Sequence, residues 1–501
     1  MFLSDNSYSK IFHSKIIDPL ECDVVVVGGG LSGLSTAYHL AEKDQNLKVI
    51  ILEKRQKIGG LCDFGVKYIR REHRAVWELL EKLEIHCVQR EKMYRWRDFE
   101  DWSDTKGYLA KFEVMRFIER IDMECQNFNP NNVYQKWMTT MEDFISDNLL
   151  FEQSQNFIRF IVRTVTGVDP DLIRVDEFLV ICFTCTSFSC MIDSLFEGDF
   201  SPTDGWTNTM QCLVKHLPTS VQIIKEKCVT QIIEIDARRV AVETHHGDII
   251  QSKVVVIACP WQAVKQIKFT PQIWPHIMNR INNIDAYVTT FTVKYNNSTW
   301  KSIGHSGCLF NHKNHFYCYE THPGILTGAL YHNSISETSK YPLTDILQLM
   351  SQKFGIHSLL MPVENEVKIF EQHILIDFPR TESSRGTIVW ATTNSSQKFR
   401  GFINGAIHSG MRAAISALSV VRPNSIEYFD EVDSHEMKLK QNYGILERQL
   451  LKTNLATGIR AVKCFLMISA GYYLVKRYHE TIFEQISEKI ALIESKYGKI
   501  F

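Results

Sequence analysis

The amino-acid sequence predicts an α/β fold: a Rossmann-like parallel sheet, a helix-rich insertion, a further β segment and a helical C-terminal tail. Two separated strand–glycine–helix stretches, residues 23–53 and 386–414, predict the Rossmann-like part, and a basic-flanked apolar run at 461–475 predicts the tail.

The first stretch opens with four consecutive valines before Gly28. A run that is β-branched and apolar on both faces reads as a buried parallel strand. The glycines that follow open a helix at Leu31 and Ser32. Gly28 permits the tight turn, Gly30 lets the backbone approach a pyrophosphate and Gly33 lets the helix lie close on the strand, so phosphates meet free amides at a helix N-terminus. A second apolar strand, 49–52, ends in Glu53, at about the 20-residue spacing that sets a carboxylate on the adenosine ribose hydroxyls. Glycine triplets also occur in ordinary strand-to-helix turns, but the full order of strand, glycines, helix, strand and acid points to a dinucleotide. The acid favours a free ribose, hence FAD or NAD over NADP. Glu53, Lys54 and Arg55 lead into Gly59 and Gly60, and this segment resembles the second glycine motif of flavin amine oxidases, where the pair continues the diphosphate cradle. That resemblance implies FAD.

A chain of 501 residues allows two or three domains, and 45% hydrophobic with 23% charged residues is ordinary for a globular protein. A net charge of -1 gives no global pull towards nucleic acid, and no nucleic-acid motif stands out. The 13 cysteines, an odd number in mostly apolar surroundings, read as reduced core thiols. Cys182 and Cys185 form a C-x-x-C followed by Cys190, with no second pair or histidine cluster to complete a zinc site, so a core helix is expected and no metal. His245 and His246 fall in a turn with Gly247, which favours solvated side chains over metal or acid–base duty. The N-terminus lacks a secretory apolar core, so a cytosolic or cytosol-facing catalytic part is expected.

Between the two anchors, Val76, Leu79, Leu80 and Leu83 recur at helical spacing. Residues 91–200 are rich in Trp, Phe and Met, with helical runs at 133–150 and 157–166, and their aromatics line a pocket or simply fill a core. Short strands follow at 221–224, 229–235 and 240–244, then a buried strand within 253–260, and 286–295 alternates as a strand.

The second anchor, 386–394 and 399–414, reads as strand, polar turn and helix, the helix starting near Gly401. Gly405, Ala406, Ser409, Gly410, Ala413 and Ala414 permit close backbone packing. Its N-terminal amides offer partial positive charge where a reduced flavin gathers negative charge. This stretch is similar to the C-terminal flavin motif of the monoamine oxidases, and the chain resembles monoamine oxidase-like flavoproteins over most of its length. The resemblance implies an FAD-binding Rossmann-like domain assembled from 1–75, 205–260 and 375–430, an inserted α+β substrate domain of 76–204 and 261–374, and a tail, 431–501, with a membrane anchor helix at about 459–477. It also implies flavin contacts at Thr393, Asn394, Gly401, Phe402 and Ile403, an adenine contact at the backbone of Val229, and Phe402 and Thr290 as substrate-side positions.

Departures from that family bear on the chemistry. With no cysteine between Cys318 and Cys464, the FAD is expected to be non-covalent. The family's lysine that holds a water near the flavin falls on Thr290, and its two-tyrosine cage keeps one aromatic wall at Phe402. The glutamate of its Gly-Thr-Glu turn is Asn394, and the arginine after its paired glycines is Leu61. Flavin binding rests mainly on backbone amides and should survive, whereas oxidation depends on placed side chains. The leading expectation is an amine oxidase that converts a small-molecule amine, dioxygen and water to aldehyde, ammonia and hydrogen peroxide. The alternatives are a degenerate FAD-binding scaffold attached to a membrane, and a flavin oxidoreductase such as an isoprenoid desaturase. The oligomeric state stays open, a homodimer included.

The run at 461–475, flanked by Arg460, Lys476 and Arg477, is short of the roughly 20 apolar residues of a span. It reads as a tail anchor of the mitochondrial outer membrane, catalytic part facing the cytosol, or as a buried amphipathic helix. Ile482, Phe483, Ile486, Ile490, Ile493 and Tyr497 mark a second amphipathic helix beyond it.

Overall fold

The structure is a computed structural model that describes residues 20–60, 68–89, 105–126, 139–196, 198–273, 286–311, 315–332, 342–371, 386–427, 444, 448–449, 451 and 455–497. In chain order its principal elements begin with β1 (Leu20–Glu21), β2 (Val24–Val27), α1 (Leu31–Lys43), β3 (Val49–Leu52), α2 (Arg74–Lys82) and β4 (Cys87–Gln89). Five helices follow: α3 (Thr105–Gln126), α4 (Met141–Asn148), α5 (Glu152–Thr166), α6 (Val175–Thr184) and α7 (Phe188–Phe196). Then come β5 (Phe200–Pro202), α8 (Gly205–Lys215), β6 (Val221–Ile224), β7 (Val229–Asp236), β8 (Arg239–Thr244), β9 (Ile249–Ser252), β10 (Val254–Ile257) and β11 (Lys268–Thr270). The chain continues through β12 (Tyr287–Lys294), β13 (Leu309–Asn311), β14 (Phe316–His322), β15 (Ile325–His332), α9 (Pro342–Phe354), β16 (Glu364–Glu371), β17 (Ile388–Trp390), α10 (Ile403–Val421) and α11 (Leu455–Tyr497).

The valine run forms the middle of a parallel five-stranded sheet of order β17-β10-β2-β3-β6. Val24 lies opposite both Val49 and Val254, and Val27 opposite both Leu52 and Ile257. All four valines are buried because both faces of the sheet are covered. On one face Val24 and Val26 join a core with Leu34 of α1, Leu79 of α2, Leu213 of α8 and Ile407 of α10. On the other, Val25 and Val27 join a core that includes Ile232 and Val242 of the second sheet and the buried sides of helices α3 to α7.

The second sheet, β1-β9-β8-β7-β11, is an antiparallel meander of β7, β8 and β9 with β1 and β11 added in parallel. The third, β13-β14-β15-β12-β16, is antiparallel throughout. Its strands alternate as period two requires. Phe291, Val293, Phe316 and Leu326 pack on Ile346, Met350 and Phe354 of α9, whereas Val288, Ala329 and Tyr331, with Tyr317 and Tyr319 against them, face the helical core that holds Phe157 and Phe160.

Several expectations change. Val76, Leu79, Leu80 and Leu83 share the core of α1 and α10, so α2 lies on the cofactor side of the boundary read at residue 75. The run at 133–150 becomes α4, which begins at Met141 because the Thr140 hydroxyl accepts the Asp143 N–H and caps it; 133–138 lie outside the described residues, as does Leu61. Helix α10 starts at Ile403 rather than near Gly401, since Gly401 has a left-handed φ of 88° and Phe402 is an extended N-cap.

The tail departs most. Residues read as an anchor followed by a second helix form one continuous helix, α11. No single helix among the described residues is long and apolar enough to cross a membrane, and the apolar part of α11 is Val462–Leu474. At 1.5 Å per residue that part spans about 20 Å of an about 30 Å hydrocarbon core, with Lys476 and Arg477 one residue beyond it. The buried-helix alternative fails as well, because Phe465 and Ile468 are 70% and 71% exposed.

Candidate active site and cofactor cradle

The two glycine turns predicted to hold a diphosphate come together backbone to backbone. Gly30 bridges Gly59, and the Gly59 N–H donates to the Gly29 carbonyl at 2.9 Å. Gly33 is held so near the Gly28 carbonyl that a Cβ would lie 2.0 Å from that oxygen, the close helix–strand contact the sequence anticipates. The residues fit FAD by a steric criterion: a Cβ on Gly30 would point into open space with only the Gly60 Cα near it, at 3.7 Å. Leu31 and Ser32 form the first turn of α1 and are buried, and no acidic side chain stands in that turn to repel a phosphate.

Glu53 is 6% exposed, and its carboxylate accepts the N–H of Gly29 at 2.8 Å and of Arg55 at 2.9 Å. These bonds fix the carboxylate at the cradle edge and leave each oxygen a lone pair for a ribose hydroxyl. Lys54 and Arg55 carry exposed side chains on the rim. The Lys227 N–H donates to the Glu53 carbonyl at 2.9 Å, which brings the buried Val229 at the start of β7 to the same end of the sheet.

A second cluster forms around the entry to α10. The Thr393 hydroxyl accepts the Gly401 N–H at 2.9 Å, Asn394 is fully buried, and Phe402 and Ile403 form the first corner of the helix. The buried Thr392 hydroxyl has no hydrogen-bond partner among the described residues. Helix α10 lies directly on α1: a Cβ on Gly410 would be 2.6 Å from the Ser32 carbonyl, and the Ser35 hydroxyl donates to the Ile407 carbonyl at 3.1 Å. The first turn of α1 is therefore seated on the second and third turns of α10. The loop before α10 is also tied to α6, with the N–H groups of Phe399 and Arg400 donating to the carbonyl and hydroxyl of Thr184 at 2.8 and 3.2 Å.

Thr290 stands on the third sheet, paired with Ala329 of β15 and Lys368 of β16. Lys368 occupies the register position next to Thr290, yet its Nζ is bound to Glu366 at 2.6 Å and its side chain is partly exposed, so it does not replace the absent lysine. The described part of this face is aromatic. Tyr317 stacks with Tyr319 and Tyr331 at 6.2 and 6.3 Å, and Phe160 meets Tyr317 edge-on at 5.9 Å. Burial pushes the Tyr317 hydroxyl well above its ordinary range and that of Tyr331 to about 12, so both are neutral hydrogen-bonding groups. The sequence offered a signal here, the alternation Phe316-Tyr-Cys-Tyr, which the reading of 286–295 alone passed over.

His73 was not singled out from sequence. It is 2% exposed and precedes α2, its ring edge-on to Phe399 at 4.6 Å and tilted against Phe402 at 6.2 Å. Its Nδ1 accepts the Arg70 N–H at 3.3 Å, while the buried Nε2 has no hydrogen-bond partner among the described residues. Burial, and secondarily the charge of Arg70, lower its pKa to about 3. The histidines at 245 and 246 are exposed in the turn after β8, and no group of three or more His, Cys, Asp or Glu that could hold a metal occurs among the described residues.

Comparison with known proteins matches this arrangement. The sequence pattern of the family described as flavin containing amine oxidoreductase matches residues 31–307, more than half of the chain. A probable flavin-containing monoamine oxidase A of Dictyostelium discoideum is 20% identical, over 78% of this chain and 96% of that protein. The flavin-containing amine oxidase B of Bos taurus is 23% identical over 79% and 85%. Among solved structures, cyclohexylamine oxidase from Brevibacterium oxydans superposes with a TM-score of 0.64 at 16% identity, over 81% of this chain and 100% of that one. A putrescine oxidase bound to putrescine gives 0.65 at 16% identity, over 79% and 99%. Nothing in these likenesses favours the scaffold alternative. The chain belongs to the flavin-containing amine oxidoreductase family, and FAD, held non-covalently, is its cofactor.

Proposed function

We propose that the protein is an oxidase of a small, uncharged amine, working at FAD laid along the α1–α10 contact. The observation that carries this reading is the close α1–α10 packing, each helix opening from a glycine turn, with Phe402 in the same core as the aromatic sheet face. The amides of residues 30–33 with Gly59 and Gly60 hold the diphosphate, Glu53 the ribose and the Val229 backbone the adenine. Thr393, Asn394, Gly401, Phe402 and Ile403 hold the ring end, where the positive end of α10 favours an anionic reduced ring. FAD held there would supply a two-electron acceptor for the carbon beside the amine nitrogen, with dioxygen as the final oxidant.

The substrate domain, from beyond α2 to residue 204 with 261–374, supplies the wall. Phe402 and the tyrosine face position the amine, and Thr290, in place of a lysine, leaves the described part of that face without a base beside the flavin, so the amine must arrive deprotonated. Anaerobic addition of primary, secondary and polyamines to the purified protein should bleach the visible flavin band, and readmitted air should yield peroxide. A flavin band that no amine bleaches would overturn the reading.

The tail belongs to the same proposal in altered form. The exposed Val462–Leu474 stretch, ringed by Lys463, Lys476 and Arg477, suits lying at a membrane surface rather than spanning it, with the mitochondrial outer membrane, cytosolic side, as the site. Residues 1–454 should move to the soluble fraction on fractionation; their persistence in the membrane fraction would refute the attachment.

A further inference from the structure

His73 is a buried donor with nothing to donate to among the described residues. Because Nδ1 accepts the Arg70 N–H, the neutral ring must carry its proton on Nε2, and that N–H is buried and has no partner among the described residues. An unmade hydrogen bond at such a site is costly, and the ring's neighbours place it beside the proposed ring end of the cofactor. Helix α2 is docked on the first turn of α10, the Val76 N–H donating to Asn404 Oδ1 at 3.3 Å. The ring partners of His73 are Phe399 and Phe402, and the second of these is the N-cap of α10. Phe399 is held at a φ of 49°, a left-handed conformation unusual for a bulky residue. The imidazole thus stands at the helix N-terminus that faces the cofactor's ring end, and none of its ring partners belongs to the tyrosine face.

We propose that His73 is a flavin-positioning residue whose Nε2–H donates a hydrogen bond to an acceptor atom of the isoalloxazine ring. This rests on FAD occupying the α1–α10 site. The depressed pKa agrees with the role, since the imidazole stays neutral through the physiological range and acts as a fixed donor, not a proton shuttle. A donor to the ring binds the oxidised flavin and stabilises the anionic reduced form still more, so it raises both affinity and midpoint potential.

The test uses FAD titration of apo-protein and the flavin midpoint potential. His73→Phe keeps an aromatic ring against Phe399 and Phe402 but removes the donor; His73→Gln keeps an N–H near the same place. His73→Phe should weaken FAD binding about tenfold and lower the potential, and His73→Gln should recover most of both. A folded His73→Phe with wild-type affinity and potential, or a change confined to the KM for amine, overturns the proposal. Isotope-labelled histidine provides a readout that needs no variant to fold: the His73 Nε2–H resonance of the wild-type protein should move downfield on FAD addition, and an unmoved resonance overturns the proposal. Wild-type protein that takes up no FAD would overturn the cofactor site itself, a failure distinct from that of His73.

Discussion

Gly30 and His73 make opposite demands on the same site. At Gly30 the missing side chain is the functional feature. Because a Cβ there meets only the Gly60 Cα at ordinary contact distance, Gly30→Val should fold with unchanged circular dichroism yet lose flavin, read as the ratio of flavin to protein absorbance. Flavin retained at wild-type stoichiometry would show that the diphosphate lies elsewhere. At His73 the test is pH. Its folded pKa of about 3 lies below the unfolded value of about 6.5, so between them the unfolded chain binds a proton that the native state refuses, and stability falls as pH drops through that window. From about pH 7.5 to about pH 5, the wild type should lose about 2 kcal/mol more unfolding free energy than His73→Phe, measured by urea denaturation. The glycines and Glu53 were legible in the sequence because a backbone contact and a carboxylate at fixed spacing are local facts. His73 was not, since whether an imidazole nitrogen has a partner depends on residues more than 300 positions away, Phe399 and Phe402.

At the scale of elements, the packing of α1 on α10 governs the site, and it can be broken at one atom. A Cβ on Gly410 would sit 2.6 Å from the Ser32 carbonyl and 2.7 Å from the Ser35 Cβ. Gly410→Val should therefore force the helices apart, costing about 3 kcal/mol, with a lower thermal midpoint and reduced flavin occupancy; an unchanged melt would show that the contact is loose. The small residues of 405–414 announced this packing, and strands β2, β3 and β10 were legible because a parallel strand buried on both faces is a continuous apolar run. The tail was misread for a related reason. Apolar content along 461–475 says that a helix forms, but its fate depends on the length of the run relative to its charged flanks. The start of α10 moved by two residues because a left-handed Gly401 is invisible to periodicity.

Across the whole molecule, the aromatic sheet face and the cofactor helices come from separate parts of the chain, and the tail from a third. Nearly every described side chain of α11 is exposed, so truncation after residue 454 should leave the thermal midpoint of the catalytic body unchanged. A clear drop in that midpoint would mean that the helix packs as part of the core. The sequence showed both glycine anchors and the helical middle, but not how the antiparallel sheet faces the helices, because that is set by which side of each strand finds Phe160.

The strand order β17-β10-β2-β3-β6 also sets a timetable for biosynthesis. The valine strand leaves the ribosome near the beginning, finds β3 within 30 residues, and then waits with one edge unpaired until residue 257 has emerged; β17 and α10 arrive only after residue 388. An apolar strand with an open edge is a surface for mispairing and chaperone capture. On the proposed placement of FAD, the residues of the ring end, 393–403, are made only when about four-fifths of the chain has been translated, so cofactor loading would be a late event.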